Sequence, residues 1–262
     1  MNLKLLALIA LTAGCGGNSG NAALSKSFSY GSATTPSSTE SAAASGAQTN
    51  LSNTKSFSAQ ADATKGFAII EFADALAAGA LGVAAIPGLR SSTDISQPLR
   101  EATSLDTCAT VTANTVTFNN CTISEEGFNV SLSGTVSVTS NTVTWAINGT
   151  FSGSESGVTF NINHHQSGNF SVTATKITGN SVSDFGGTIS SGGQSVNFGL
   201  ATAAVVDLTY QSTPSFCVTS GTIEVKRVWT AKPNGASGAA FADAGIKLTW
   251  TGCNALTIAH ST

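Results

Sequence analysis

The chain has 262 residues, enough for one large domain or two small ones; 41% are hydrophobic, only 10% are charged, and the net charge is −3. No basic patch or acidic run breaks this even distribution, and gripping a phosphate backbone needs clustered Lys and Arg. A nucleic-acid partner is therefore not expected.

The first stretch, Met1 to Cys15, reads MNLKLLALIALTAGC. Lys4 gives a short positive start, Leu5 to Leu11 a compact apolar run, and Ala13 and Gly14 the small residues ahead of Cys15. The apolar run is far shorter than the ~20 residues of a spanning helix, so residues 1–14 read as an export signal. Leu11-Thr12-Ala13-Gly14-Cys15 resembles the lipobox of bacterial lipoprotein precursors, with Leu one place earlier than in the commonest form. The resemblance is confined to this stretch. It implies cleavage before Cys15, acyl chains (palmitate among them) on that cysteine, and an anchor in the membrane. Two or more chains hold a protein stably, at roughly 0.8 kcal/mol per buried CH₂. Gly16 stands where an inner-membrane retention signal typically has Asp, which points to the outer membrane without choosing its face. The alternative is an ordinary secretory signal cut nearby.

Residues 15–61 are rich in Ser, Gly, Ala, Thr and Asn, with almost no large apolar side chains. Such composition does not offset the entropy of ordering, so it predicts a flexible tether with a reach of about 35–40 Å. A single β-rich domain is expected over 62–262. It opens on residues 67–86, FAIIEFADALAAGALGVAAI, where Ala and Leu favour a helix over a strand. The segment is apolar nearly all round apart from Glu71 and Asp74, which predicts a buried helix rather than a second membrane span. Pro87-Gly88 ends it, and a short second helix is expected near Pro98.

From Val111 onward the hydrophobic period becomes two. Val130, Leu132, Val136 and Val138 alternate with Ser and Thr, and the pattern returns through Val143 to Phe151, Val158 to Val172, Phe216 to Trp229 and Ile246 to Trp250. This predicts antiparallel strands with one buried and one wet face. Turns are expected at Thr139–Asn141, Ser154–Gly157, Thr178–Asn180 and Ser191–Gly193.

A glycine motif recurs at Gly134, Gly149, Gly168, Gly187 and Gly221, at spacings that fit one copy per strand with one strand lacking it. The first four share the parity of their apolar neighbours, and a parity change near Gly221 predicts a β-bulge. Glycine inside a strand marks a bend or a close approach. The expected fold is therefore α+β and mainly β: a strongly curved antiparallel meander, half-barrel or open barrel, with helix 67–86 on its concave face. Gly134, Gly149, Gly168 and Gly187 would form a trough there, filled by that helix or by an apolar ligand. The arrangement is broadly similar to the half-barrels of periplasmic lipoprotein carriers, by architecture alone.

With Cys15 assigned to lipid, Cys108, Cys121, Cys217 and Cys253 remain, an even set that reads as two disulfides in an exported chain. Hairpin tips midway between them, at Asn114-Thr115 and Asn234-Gly235, favour Cys108–Cys121 and Cys217–Cys253. Each bridge would stabilise by roughly 3–4 kcal/mol in the loop-entropy picture. Zinc is disfavoured, because no Cys-x-x-Cys spacing exists.

Catalytic constellations are not evident. His164 and His165 are adjacent in a strand and point to opposite faces, and His260 lies near the end of the chain. Gly153-Ser154-Glu155-Ser156-Gly157 has Glu where a hydrolase elbow has its nucleophile. Glu125-Glu126, Asp184 and Asp207 read as isolated acids, and Lys226-Arg227 as residues bordering the sheet. No cofactor or metal is implied. The expectation is a non-enzymatic, lipid-anchored binding or interaction module that holds an apolar ligand or a protein partner. The alternative is a surface-exposed structural or adhesive module with no small-molecule ligand.

Overall fold

The computed structural model describes residues 20–54, 108–125, 128–155, 157–233, 236–238, 241–253 and 255–262. Its centre is an open antiparallel sheet of ten strands paired in sequence order. These are β1 (Ala109–Val111), β2 (Thr115–Glu125), β3 (Phe128–Thr139), β4 (Thr142–Glu155), β5 (Val158–Val172), β6 (Lys176–Ser191), β7 (Gln194–Gln211), β8 (Cys217–Ala231), β9 (Ala244–Gly252) and β10 (Ala255–His260). Among the described residues two helices precede them, α1 (Gly20–Ser25) and α2 (Ser38–Thr54). The chain is thus mainly β, as its period-two patterning indicates.

Turn chemistry sets the register. Gly192 and Gly193 both have positive φ, 58° and 78°, the conformation that a tight two-residue hairpin requires between β6 and β7. The β3–β4 and β4–β5 turns fall where expected. The turn anticipated at Thr178–Asn180 does not form there. Those residues lie inside β6, and the chain reverses at Thr173–Thr175 instead. Gly179 (φ 151°) is a close-approach glycine: a Cβ on it would run into the backbone of Asn169 and Phe170 on β5. A close approach inside a strand had the local composition of a turn.

Alternation gives the sheet one buried face. The main core cluster collects Val116 and Phe118 from β2, Val136 and Val138 from β3, Trp145 and Ile147 from β4, Phe170 and Val172 from β5, and continues to Leu248 and Trp250 on β9. The expected bulge is present: β8 carries an extra residue, Thr219, where Thr209 pairs with Ser220 and Tyr210 with Val218. Both cysteine pairs are at disulfide distance, with Cα–Cα separations of 5.1 Å for Cys108–Cys121 and 5.4 Å for Cys217–Cys253. The first joins the β1–β2 hairpin and the second links β8 to the end of β9.

Two N-terminal expectations need restating. Helix 67–86 and the short helix near Pro98 lie outside the described residues, as do Cys15 and residues 1–14. Residues 20–54, expected within a flexible tether, are laid against the sheet. Ala23 of α1 packs with Ala201 and Ala203 on the face opposite the core, where small side chains let the helix approach closely. Residues 29–34 then run along β10. Thr34 and Ile258 exchange backbone hydrogen bonds (2.8 and 2.9 Å), and Gly31 N donates to His260 O (3.0 Å). Ala44 and Leu51 of α2 join the main core cluster. Composition missed this because residues 29–34 are held by backbone bonds to a free sheet edge, which any sequence can make, and the helices dock through a few small or isolated apolar side chains.

Candidate functional site

Register locates the site. Residues paired across neighbouring strands share a face, and on the buried face they form successive rows. One row reads Trp145, Gly168, Ser181, Ala204, Val225 and Ile246. The next reads Ile147, Gln166, Ser183, Thr202, Arg227 and Ala244. The third reads Gly149, His164, Phe185, Leu200 and Trp229. Beyond them Phe151, Phe160 and Ile162 form a second cluster, with partly exposed Phe185, Ile189 and Phe198 packed against it. A polar row therefore crosses the buried face between a sealed core and an aromatic mouth.

The polar row is costly to bury. Gln166 is 1% exposed and Arg227 6% exposed, and burying such groups is tolerated only when their partners are supplied. Arg227 donates from Nη2 to the Ala242 carbonyl (3.3 Å), and its Nε has no partner among the described residues. Burial pulls the guanidinium pKa down, and Asp243 opposes that. Burial tends to raise the Asp243 carboxyl, but the Trp229 N–H, Lys26 and Lys232 together bring it below its usual range. The Trp229 N–H donates to Asp243 at 3.0 Å, and Lys26 Nζ sits 3.0 Å from the other carboxylate oxygen. One carboxylate thus answers to three cations.

His164, 3% exposed, stacks on Phe185 with ring centroids 4.8 Å apart. Burial drives its pKa down to about 3, with His165 adding repulsion, so the imidazole is neutral at ordinary pH. Its Nε2 and the Trp229 Nε1 are likewise without partners among the described residues.

The four glycines expected to form a trough are all in the sheet, and each is filled or crossed by a neighbour. A Cβ on Gly168 would overlap the Trp145 ring, which stacks on Phe170 at 5.8 Å. On Gly149 it would meet Phe151 at 3.1 Å and Leu132 at 3.3 Å. On Gly134 (φ 133°) and Gly187 it would enter the backbone of the adjacent strand at Ala146 and Asn161. These glycines make room for a neighbour's ring or for a close strand, so the space they leave is filled from within the sheet.

Other sequence candidates fall elsewhere. His165 lies on the opposite face, with Nδ1 2.8 Å from Asn148 Oδ1. His260 ends β10 and pairs with Glu40 of α2 (2.9 Å). Asp207 pairs with Lys176 (2.9 Å), and Asp184 is buried. Lys226 and Arg227 do not border the sheet. Both are buried mid-sheet on opposite faces, with Lys226 donating to the Leu24 carbonyl (3.1 Å) and lying 3.6 Å from Glu224. Glu224 also accepts from the Tyr30 hydroxyl (2.6 Å), and burial followed by that bond raises the tyrosine pKa. Gln166, Ser183 and Thr202 were missed by sequence reasoning. Their signal was parity: each shares the alternation of its strand's apolar residues, as Arg227 does with Ile223 and Val225. No cluster of His, Cys, Asp and Glu able to hold a metal occurs among the described residues. No known protein family, curated protein or solved structure matches the chain.

Proposed function

We propose that the chain is a lipid-anchored outer-membrane protein, acylated at Cys15, whose β-sheet is a non-enzymatic binding module for an apolar ligand. In this reading the buried face is the concave side of a curved sheet, and helix 67–86 packs against part of it. The observation that carries it is the aromatic mouth: Phe185 and Phe198 stay partly exposed on the face that is otherwise core. Partly buried aromatic side chains beside a few convergent polar groups are the usual make-up of a ligand site. Two cysteine pairs at disulfide distance fit an oxidising compartment, which agrees with export.

Native mass spectrometry of detergent-extracted protein tests the ligand. A co-purifying apolar molecule supports it, and a domain that stays empty and takes up no lipid refutes it. Labelled palmitate incorporation, abolished by Cys15→Ala, tests the anchor.

A second reading is supported by the opposite face. Thr139, Thr142, Ser171, Thr178, Thr222, Thr249 and Thr257 lie in one row across the sheet, interrupted only by Asp207. Such an uncharged hydroxyl surface suits a surface-exposed structural or adhesive module. Protease accessibility on intact cells separates the two, since a domain that faces the periplasm is shielded.

A further inference from the structure

We infer that the ligand of the aromatic mouth is a monocarboxylate amphiphile, with its carboxylate on Arg227 and its chain among Phe160, Phe185 and Phe198. This rests on the apolar-ligand reading and adds the chemistry of the head. Asp243, the carboxylate that acts on Arg227, is already hydrogen-bonded by Lys26 and by the Trp229 backbone N–H, both at 3.0 Å. Among the described residues the buried Arg227 guanidinium is hydrogen-bonded by a carbonyl alone, and its Nε is directed at no acceptor. A buried cation without a full partner is strongly unfavourable, and a carboxylate is the group that matches a guanidinium fork.

The neighbours of Arg227 in the row are neutral. Thr202 pairs directly with it in register, and Ser183 pairs with Thr202. One cation flanked by hydroxyls suits a singly charged head better than a dianionic phosphate, for which further cations would be needed. In the next row Phe185, Leu200 and Trp229 begin the apolar wall, so head and tail sites are adjacent in register. The strands that form this wall, β5 to β7, continue past the last β7–β8 pair, Gly199–Ala231, to Phe160, Ile189 and Val196. That extension gives the chain of the ligand a surface to lie on.

The test compares laurate with dodecanol by calorimetry on the full-length, delipidated protein, with Arg227→Met and Arg227→Lys alongside. The expected result is that laurate binds about tenfold or more tighter than dodecanol, the scale of a charge-assisted pair. Arg227→Met should erase that preference while dodecanol binding persists, and Arg227→Lys should keep part of it. The wild-type comparison stands even if Arg227→Met does not fold. Equal affinity for laurate and dodecanol overturns the carboxylate assignment and leaves the apolar site intact. Failure of both to bind overturns the apolar-ligand reading itself.

Discussion

The two ends of the buried face are built from the same alternating pattern and behave as different materials. At one end Trp145, Phe170, Val206, Ile223 and Leu248 interlock, and glycines are placed so that a ring on one strand lies over a bare backbone on the next. At the other, Phe151, Phe160, Phe185 and Phe198 gather without sealing, behind a row that buries Gln166 and Arg227. Close packing maximises dispersion contacts at the first end. At the second the chain accepts buried polar groups that an apolar row would have avoided. Stability resides mainly in the first region, and the proposed ligand contacts lie in the second.

That division breaks most readily at Trp145. Trp145→Ala should cost about 3–5 kcal/mol in urea unfolding, because it empties the space over Gly168 and removes the stack on Phe170. A loss below ~1 kcal/mol would show that the ring is not part of the core. Gly168→Val should destabilise by about 1–3 kcal/mol from overpacking against the same ring, and Trp145→Ala in the same chain should relieve part of it. Additive losses would disprove the contact.

His164 probes the boundary between the regions. Its folded pKa of about 3 lies below the unfolded value near 6.5, so in that window the unfolded chain binds a proton that the folded chain refuses. Its contribution to stability is thus flat above pH 6.5 and declines by up to ~1.4 kcal/mol per pH unit as pH falls toward 3. His164→Met should flatten that part of the pH–stability profile, and an unchanged slope would place the imidazole in water. The smallest effect is expected at the mouth, where Phe198→Ala should cost about 1 kcal/mol or less because the ring is already partly wet. A loss as large as that of Trp145 would erase the distinction between the ends.

Much of the sheet was legible because a one-residue period shift moves every side chain to the other face, so Val136, Trp145 and Ile162 had only one workable register. The cysteine pairs were legible for the same reason, as partners across hairpins. What escaped was long-range. Arg227 looked like a residue bordering the sheet because charge dominated its reading over its parity with Val225. Gly179 looked like a turn because local composition does not reveal that β5 passes beside it. The ordering of residues 20–54 depends on an edge that is formed more than two hundred residues later.

That last pairing bears on the order of assembly. Each strand of the meander neighbours the one before it, so the sheet can grow hairpin by hairpin with short loops to close. The contact of Thr34 with Ile258 spans 224 residues, and Ser29 with Thr262 spans 233. During synthesis or export the strip that covers β10 is made more than two hundred residues before β10 itself. Its docking therefore follows the laying down of β10, and it ties the region nearest the proposed anchor to that strand.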